Sequence, residues 1–141
     1  MSRDMLTLEL KNEISEIERL SQSVEKFGQD HNLPSRVLFD MNLALEEIVT
    51  NVISYGFVDN GEHHIIVRLS LNQGVLTAAV EDDGRPFNPL EAPISDTKAP
   101  LEKGPMGGFG IHIVRKAMDE IEYRRENNRN ILVMSKKTVE S

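Results

Sequence analysis

The chain of 141 residues contains no cysteine. This absence excludes disulfide bridges and thiolate metal sites, and it suits the reducing environment of the cytoplasm. A membrane span is missing as well, because no apolar run approaches the roughly 20 residues that a spanning helix needs. The first residues, MSRDMLTLEL, lack the apolar core and the cleavage site of a secretory signal. We therefore expect a cytoplasmic protein that has no contact with a membrane.

Positive charge is scarce, since 16 lysine and arginine residues stand against 23 aspartate and glutamate residues and leave a net charge of -7. A general nucleic-acid binder usually carries a basic patch, so direct contact with nucleic acid is not expected. Arg124, Arg125 and Arg129 are the candidates for such a patch, but their place on a strand-turn-strand favours a solvated face. The length and the hydrophobic content of 39% predict one domain over residues 1–141.

Hydrophobic periodicity predicts the element order β-α-α-β-β-loop-α-β-β. The first helix is expected to open with Ile14 and to end at or near Gly28. This order predicts an α+β fold, a two-layer sandwich in which three helices cover one face of an antiparallel or mixed sheet. The predicted strands cover residues 5–10, 63–71, 75–82, 121–125 and 130–137, and the predicted helices cover 14–28, 34–55 and 111–120.

A long segment without periodicity interrupts this pattern between residues 82 and 110. It reads DDGRPFNPLEAPISDTKAPLEKGPMGGFG and is rich in proline, glycine and aspartate. Loops of this length are uncommon inside a compact domain and are usually either functional or disordered. The segment and its borders are therefore the first places in which to look for a site.

Polar side chains follow one line on the predicted second helix, beside its apolar face. Glu47 and Asn51 are four residues apart and lie on the same side, whereas Glu46 is rotated by about 100°. A carboxylate and a carboxamide oxygen together suit a hard cation such as Mg²⁺, or a water molecule that must be oriented. The alternative is that both side chains face solvent, and the spacing alone favours this alternative.

The sequence EDDGRP places Asp82 at the end of a predicted strand and Gly84 two residues later. Such a pattern usually marks a simple turn. The functional alternative is that the carboxylate accepts a hydrogen bond from an amino group of a ligand. In that case the glycine lets the backbone approach a flat ring.

Glycines cluster before the predicted third helix, at positions 104, 107, 108 and 110. Backbone N–H groups at the N-terminus of a helix attract anions, and glycine leaves these groups accessible. No βαβ unit surrounds the cluster and no Gly-Lys-Ser/Thr follows it, so it is neither a dinucleotide fingerprint nor a P-loop. By itself the cluster is a weak indication of a phosphate site.

In this order the three motifs resemble those of the GHKL (Bergerat-fold) ATPases. These include gyrase B subunits, heat-shock chaperones, histidine kinases and mismatch-repair proteins. A mobile lid separates the second and third motifs in that superfamily, and the corresponding residues here are about 88–106. The resemblance covers nearly the whole chain and implies the ATP-binding fold of the superfamily. The matching residues are Glu47 and Asn51 in EEIVTN, Asp82 and Gly84 in DDGRP, and Gly108 and Gly110 in GGFG.

Within this superfamily the chain is most similar to the small anti-sigma-factor serine/threonine kinases of bacteria, through the segments EEIVTNVISYGF, DTKAPLEKGPMGGFGI and MDEIEY. The resemblance implies ATP and Mg²⁺ as cofactors, and a sigma factor and an anti-anti-sigma (STAS-type) protein as partners. It also implies kinase activity toward the anti-anti-sigma partner, and a homodimer. The alternative is a non-catalytic module that binds nucleotide and switches partners without phosphorylation.

The resemblance implies a role for each residue of the first two motifs. Glu47 is expected to act as the general base for a serine or threonine hydroxyl, and Asn51 to ligate Mg²⁺. Asp82 is expected to accept a hydrogen bond from the adenine amino group, with Gly84 beside the ring. These roles suit phosphoryl transfer, in which catalysis is mostly positioning and charge neutralisation.

The third motif and the lid are expected to hold the phosphates. The N–H groups of Gly107, Gly108, Phe109 and Gly110 would bind phosphate oxygens at the start of the third helix. Lys98 in the lid would add a positive charge above the phosphates, and its alternative role is that of a solvated loop lysine. The lid itself would close over ATP and exclude water.

Three positions depart from the pattern of the family. Pro86 stands where the second motif has a further glycine, and Tyr55 stands where several relatives have histidine. Asn130 stands where the family has a threonine near the start of the last strand, so the water network on the adenine side of the pocket is expected to differ. None of the three removes the expected nucleotide site.

Overall fold

The computed structural model describes residues 4–59, 61–91 and 108–139 of the chain. Within these ranges the sequence forms five β-strands, three α-helices and a short 3-10 helix at Pro89–Glu91. The strands are β1 (Met5–Lys11), β2 (His64–Asn72), β3 (Val75–Asp82), β4 (Glu120–Glu126) and β5 (Arg129–Lys137). The α-helices are α1 (Glu16–Asp30), α2 (Ser35–Tyr55) and α3 (Gly108–Ala117).

The described strands form one sheet in the order β1-β2-β3-β5-β4. Every neighbouring pair is antiparallel, so the predicted α+β class is confirmed and the sheet is antiparallel rather than mixed. β3 and β5 are neighbours although α3 and β4 separate them in sequence, and their register sets Asp82 opposite Asn130. This pairing brings the second motif, at the end of β3, against the start of β5.

Two-residue turns join the hairpin partners. Gln73 and Gly74 connect β2 to β3, and Asn127 and Asn128 connect β4 to β5. These residues have positive φ angles between 51° and 79°, as in a type I′ turn, whose twist matches that of the flanking strands. Glycine and asparagine tolerate this conformation well. Local sequence therefore sets the register of both hairpins.

The core lies between one face of the sheet and the helices. Alternate strand residues point inward, as their two-residue period predicts, and meet the apolar sides of α1, α2 and α3. None of the helices in the described ranges is long and apolar enough to cross a membrane. The largest fully buried side chains are those of Leu10, Leu20, Met41, Leu45, Ile48, Ile65, Leu69, Leu76, Leu132 and Met134.

Helix α1 differs from its prediction at its start and ends near Gly28, as expected. It begins at Glu16, and Ile14, which the spacing predicts as the start of the apolar face, lies before the helix and is 56% exposed. The helix also continues past Gly28 to Asp30. A Cβ at position 28 would lie 2.6 Å from a methyl carbon of Leu38. Glycine at this position lets α1 and α2 approach closely without displacing the side chain of Leu38.

Helix α3 begins and ends three residues earlier than predicted. Its first residue is Gly108, so part of the glycine cluster lies in the first turn, and its last residue is Ala117. The N–H of Met118 still bonds to Val114, but the N–H of Asp119 donates to Ser135 of β5. The contact with β5 therefore ends the helix before its sequence pattern ends.

A buried ion pair joins the sheet to two helices. Asp40 of α2 is 9% exposed and lies 3.5 Å from Nζ of Lys136 on β5 and 3.4 Å from Nε of Arg36. The same Nζ donates a 2.7 Å hydrogen bond to the carbonyl oxygen of Ala117, at the end of α3. One ammonium group thereby satisfies a buried carboxylate and a helix C-terminus.

Replacing Lys136 by methionine should destabilise the fold, because it removes a donor from Asp40 and from the carbonyl oxygen of Ala117. We expect the free energy of unfolding, measured in urea at neutral pH, to fall by about 1–3 kcal/mol. Lys137→Met is the matched control, since this neighbouring side chain is exposed and should change stability by less than about 0.5 kcal/mol. Equal losses in the two variants would contradict the role of Lys136.

Candidate functional site

Asp82 is a buried carboxylate at the last position of β3, with 2% exposure. Its Oδ1 accepts hydrogen bonds from the N–H of Gly84 at 2.8 Å and from Nδ2 of Asn130 at 3.0 Å. Oδ2 accepts no hydrogen bond from the residues that the structure describes. One oxygen of the carboxylate is therefore held by the protein, and within the described residues the other has no donor.

Burial raises the pKa of Asp82, because the charged form loses its hydration. The hydrogen bonds from Asn130 and Gly84 and the nearby guanidinium of Arg125 lower the pKa, whereas the charge of Asp83 raises it further. The net result is a pKa above the usual value. A buried carboxylate with a raised pKa beside a long loop is typical of a functional site.

The turn after Asp82 packs directly against the end of α2. Gly84 lies so close to the carbonyl oxygen of Gly56 that a methyl group at position 84 would overlap it. That oxygen accepts a 3.0 Å hydrogen bond from the N–H of Arg85, whose Nε donates to the carbonyl oxygen of Tyr55 at 2.9 Å. Backbone contact therefore requires glycine at this position, a stronger constraint than a simple turn imposes.

Asn130 connects this turn to the sheet. Its Oδ1 accepts hydrogen bonds from the hydroxyl of Tyr123, from Nη1 of Arg125 at 3.1 Å and from the N–H of Phe87 at 3.2 Å. Nη1 of Arg125 also donates to the carbonyl oxygen of Gly84 at 2.9 Å. Tyr123 and Arg125 belong to none of the three sequence motifs. The two-residue period of β4, which puts both on one face, is the signal in the sequence that links them.

The three arginines predicted to share a solvated face do not do so. Arg124 is exposed and pairs with Glu126 at 3.0 Å, but Arg125 is half-buried beside Asn130. Arg129 pairs with Glu81 of β3. The prediction is wrong for Arg125 and Arg129, because strand pairing supplies partners that are distant in sequence.

Asn51 lies in α2 with its carboxamide against the turn. It is 2% exposed, so the alternative in which it faces solvent is wrong. Its Nδ2 donates to the carbonyl oxygen of Pro89 at 3.3 Å. Because only a donor can face a carbonyl oxygen, the nitrogen occupies this contact and Oδ1 faces elsewhere. This oxygen is a suitable ligand for a hard cation.

Glu47 lies one helical turn before Asn51 and is half-buried. The adjacent Glu46 instead lines a groove between α1 and α2, together with Phe39 and Asn42. The two neighbouring carboxylates therefore point to different sides of α2, as the helical period predicts. Glu47 is the carboxylate that is aligned with Asn51.

Helix α3 begins at the glycine motif. The N–H groups of Gly108, Phe109 and Gly110 belong to its first turn, where the helix dipole favours an anion. Lys98 and Gly107 lie outside the described residues, and so does the side chain of Phe109. Most of the predicted lid, residues 88–106, also lies outside them, and its first part forms the 3-10 helix that Asn51 contacts.

Within the described residues, the protein alone does not supply a full set of metal ligands at the candidate site. In the part of the chain that the structure describes, no three His, Asp or Glu side chains are placed to hold a metal ion. Mg²⁺ does not need such a cage, because it usually keeps several waters and binds through one or two protein oxygens and substrate phosphates. Oδ1 of Asn51 fits this requirement.

Replacing Asp82 by asparagine should stabilise the ligand-free protein at neutral pH. The folded-state pKa is raised, so ionisation of Asp82 lowers stability as pH rises from the usual value of 3.8 through the folded-state value. Asparagine can accept the same two hydrogen bonds on Oδ1 without a buried charge. We expect a higher melting temperature at neutral pH, and a difference that disappears below pH 3.8.

The exposed neighbour Asp83 provides the control for this experiment. Asp83→Asn removes an exposed negative charge beside the same turn, whereas Asp82→Asn removes a buried one. The melting temperature should therefore rise less in Asp83→Asn than in Asp82→Asn. A melting temperature of Asp82→Asn below that of the wild type at neutral pH would contradict the assignment of a destabilising buried charge.

Comparison with known sequences relates this site to a family. The sequence model of the histidine kinase-like ATPase domain (HATPase_c_2) matches residues 10–136. The anti-sigma F factor of Clostridium perfringens (strain SM101 / Type A) is 29% identical over 103 residues, which cover 71% of each chain. The serine-protein kinase RsbW of Oceanobacillus iheyensis is 25% identical over 105 residues, which cover 71% of this chain and 65% of that protein. The serine/threonine-protein kinase BtrW of Bordetella bronchiseptica is 23% identical over 101 residues, which cover 72% of this chain and 71% of that protein.

Solved structures agree with these matches at the level of the fold. The structure of the RsbU and RsbW domains of Rv1364c from Mycobacterium tuberculosis superposes with a TM-score of 0.70 at 14% identity, covering 97% of this chain and 33% of that one. The Acinetobacter baumannii histidine kinase AdeS gives a TM-score of 0.52 at 11% identity, covering 96% of this chain and 68% of that one. The antiparallel sheet and its helices are therefore shared with proteins of distant sequence.

Proposed function

Because this chain belongs to the histidine kinase-like ATPase domain family, we propose that it binds ATP with Mg²⁺ and transfers the γ-phosphoryl group to a serine or threonine of a partner protein. The observation that supports nucleotide binding is the Asp82 carboxylate. It is buried, its Oδ1 accepts two hydrogen bonds from the protein, and its Oδ2 remains as an acceptor. A buried acceptor beside a glycine suits the amino group of a flat base.

A short turn connects the two ends of the proposed site. Its start, at Gly84, touches the end of α2, and Pro89 near its other end accepts a hydrogen bond from Asn51 within α2. The proposed base-binding carboxylate of Asp82 and the proposed cation ligand therefore lie at opposite ends of one segment. This order corresponds to that of the base and the phosphates in a nucleotide.

We assign the chemical step to Glu47. Mg²⁺, when bound, supplies charge neutralisation for the phosphate oxygens. Asn51 would hold the ion through Oδ1, and the N–H groups at the start of α3 would bind phosphate oxygens. Glu47 would accept the proton of the attacking serine or threonine hydroxyl. The hydroxyl oxygen would bond to the γ-phosphorus while the bond from the γ-phosphorus to ADP breaks. Helical spacing keeps this base one turn from Asn51.

The relatives support a proposal for the partners. Because proteins similar to this chain are named anti-sigma F factor and serine-protein kinase, we propose a sigma factor as the sequestered partner and an anti-anti-sigma (STAS-type) protein as the substrate. A single domain, a lid at about 88–106 with Lys98 above the phosphates, a homodimer and a cytoplasmic location belong to the same proposal. The alternative is a non-catalytic module that binds nucleotide and switches partners.

Asp82→Asn should weaken ATP binding by about 10- to 100-fold, although the same change is expected to stabilise the free protein. With Oδ1 held by Gly84 and Asn130, the new carboxamide would turn its Nδ2 donor toward the adenine amino group. Isothermal titration calorimetry with Mg-ATP measures the loss, and Asp83→Asn is the control. Unchanged ATP affinity in Asp82→Asn would refute the adenine assignment.

Glu47→Gln should slow phosphoryl transfer by about 10²- to 10⁴-fold and leave ATP affinity nearly unchanged, because it removes the proposed base but keeps its shape. The assay follows label from the γ-phosphate of ATP to an anti-anti-sigma protein of the same organism. Glu46→Gln is the matched control, since that side chain faces the groove between α1 and α2. Binding of ATP by the wild type without any transfer would favour the non-catalytic module.

A further inference from the structure

We propose that Asn130 is a positioning residue that fixes the orientation of the Asp82 carboxylate and thereby makes the site select adenine over guanine. The proposal rests on the proposed nucleotide function and adds to it a determinant of base specificity. It concerns the position at which the sequence resemblance implies a departure from the family pattern, Asn130. Both side chains are almost fully buried, with 3% exposure for Asn130 and 2% for Asp82.

The hydrogen bonds of Asn130 allow one orientation of its carboxamide. Oδ1 accepts from three donors in the described part of the chain. Nδ2 donates to Oδ1 of Asp82 at 3.0 Å and to the carbonyl oxygen of Arg85 at 2.8 Å. A flipped carboxamide would set its NH₂ group against the N–H of Phe87 and the guanidinium of Arg125, which can only donate, and its oxygen against two acceptors. A donor from Asn130 therefore always faces Asp82.

Strand pairing sets the distance between these two side chains. Asp82 and Asn130 are directly opposite each other in the antiparallel pair of β3 and β5. Their contact is therefore imposed by the main chain of the sheet rather than by a ligand. Such preorganisation reduces the ordering that binding would otherwise require.

This contact determines what Asp82 offers to a base. Two donors already point at Oδ1, so a proton cannot reside on that oxygen. Oδ2 of the ionised carboxylate is then a pure acceptor. Adenine carries an amino donor at position 6, where guanine carries a carbonyl acceptor. The carboxylate attracts the first group and repels the second.

Protonation of Asp82 would invert this preference. Burial raises the pKa of Asp82 and the charge of Asp83 adds to this effect, whereas the hydrogen bonds from Asn130 and Gly84 and the charge of Arg125 lower the pKa. Asn130 thus helps to keep the carboxylate ionised. A neutral Asp82 would carry its proton on Oδ2 and would donate to the carbonyl oxygen of guanine instead.

The test measures the affinities of the full chain for Mg-ATP and Mg-GTP by calorimetry, at neutral pH and in mildly acidic buffer. Asn130→Asp keeps the shape of the side chain but sets a second carboxylate oxygen against Asp82. We expect the ATP affinity and the ratio of ATP to GTP affinity each to fall by at least about tenfold at neutral pH. As the pH is lowered, ATP binding should begin to weaken at a higher pH in Asn130→Asp than in the wild type.

Asn42→Asp is the matched control. It makes the same change at another partly buried asparagine, whose Nδ2 donates to Ser21 between α2 and α1. It should leave both affinities and their ratio unchanged, even if it lowers stability. A merely structural role of Asn130 would lower the two affinities together and preserve their ratio and the pH profile. That result would overturn the proposal.

A second pair of variants keeps the test decisive if Asn130→Asp does not fold. Asn130→Thr and Asn130→Val have nearly the same shape and both suit a strand, but only threonine offers a hydroxyl donor to Asp82. We expect the threonine variant to keep more of the preference for ATP than the valine variant. Equal ratios in the two variants would overturn the proposal.

The wild type distinguishes failure of this proposal from failure of the proposed function. If the wild type binds neither nucleotide, the proposed function is wrong and the role of Asn130 is lost with it. If the wild type prefers ATP and the Asn130 variants keep the same ratio, only the role of Asn130 is wrong.

Discussion

The antiparallel pairing of β3 with β5 is the constraint on which the candidate site depends. It sets Asp82 against Asn130, and Asn130 and Arg125 then hold the backbone of the following turn from one side while the end of α2 holds it from the other. Buried hydrogen bonds are strong when made and costly when missing, so this network favours a single arrangement. The sheet therefore positions Asp82 and the turn that follows it, whereas α2 positions Glu47 and Asn51.

Two buried aspartates show how differently the fold treats a charge. Asp40 lies beside two cationic groups, Arg36 and Lys136, and connects α2 to the sheet. Asp82 receives hydrogen bonds only from neutral groups, and burial raises its pKa. Burial removes hydration from both carboxylates, but only Asp40 has cationic groups in ion-pair contact, whereas the charge of Arg125 does not offset the effect of burial on Asp82. Evolution tolerates the second arrangement most readily where the charge serves binding.

Local patterns were sufficient for residues whose surroundings are local. The four-residue spacing aligned Glu47 with Asn51 and separated both from Glu46, and helical geometry alone determines that result. The contact of Asp82 with Asn130 could not be predicted in this way, because 48 residues separate the two and only strand pairing joins them. The packing of Gly28 against Leu38 could not be predicted from the local pattern either, since that side chain belongs to another helix.

Where Gly84 touches Gly56, main chain meets main chain. A side chain in a pocket wall can change rotamer to admit a larger ligand, but backbone tied to Tyr55 and Gly56 by hydrogen bonds has no such freedom. One wall at the base end of the proposed pocket is therefore rigid. A ligand that pressed on this wall would have to displace main chain rather than turn a side chain.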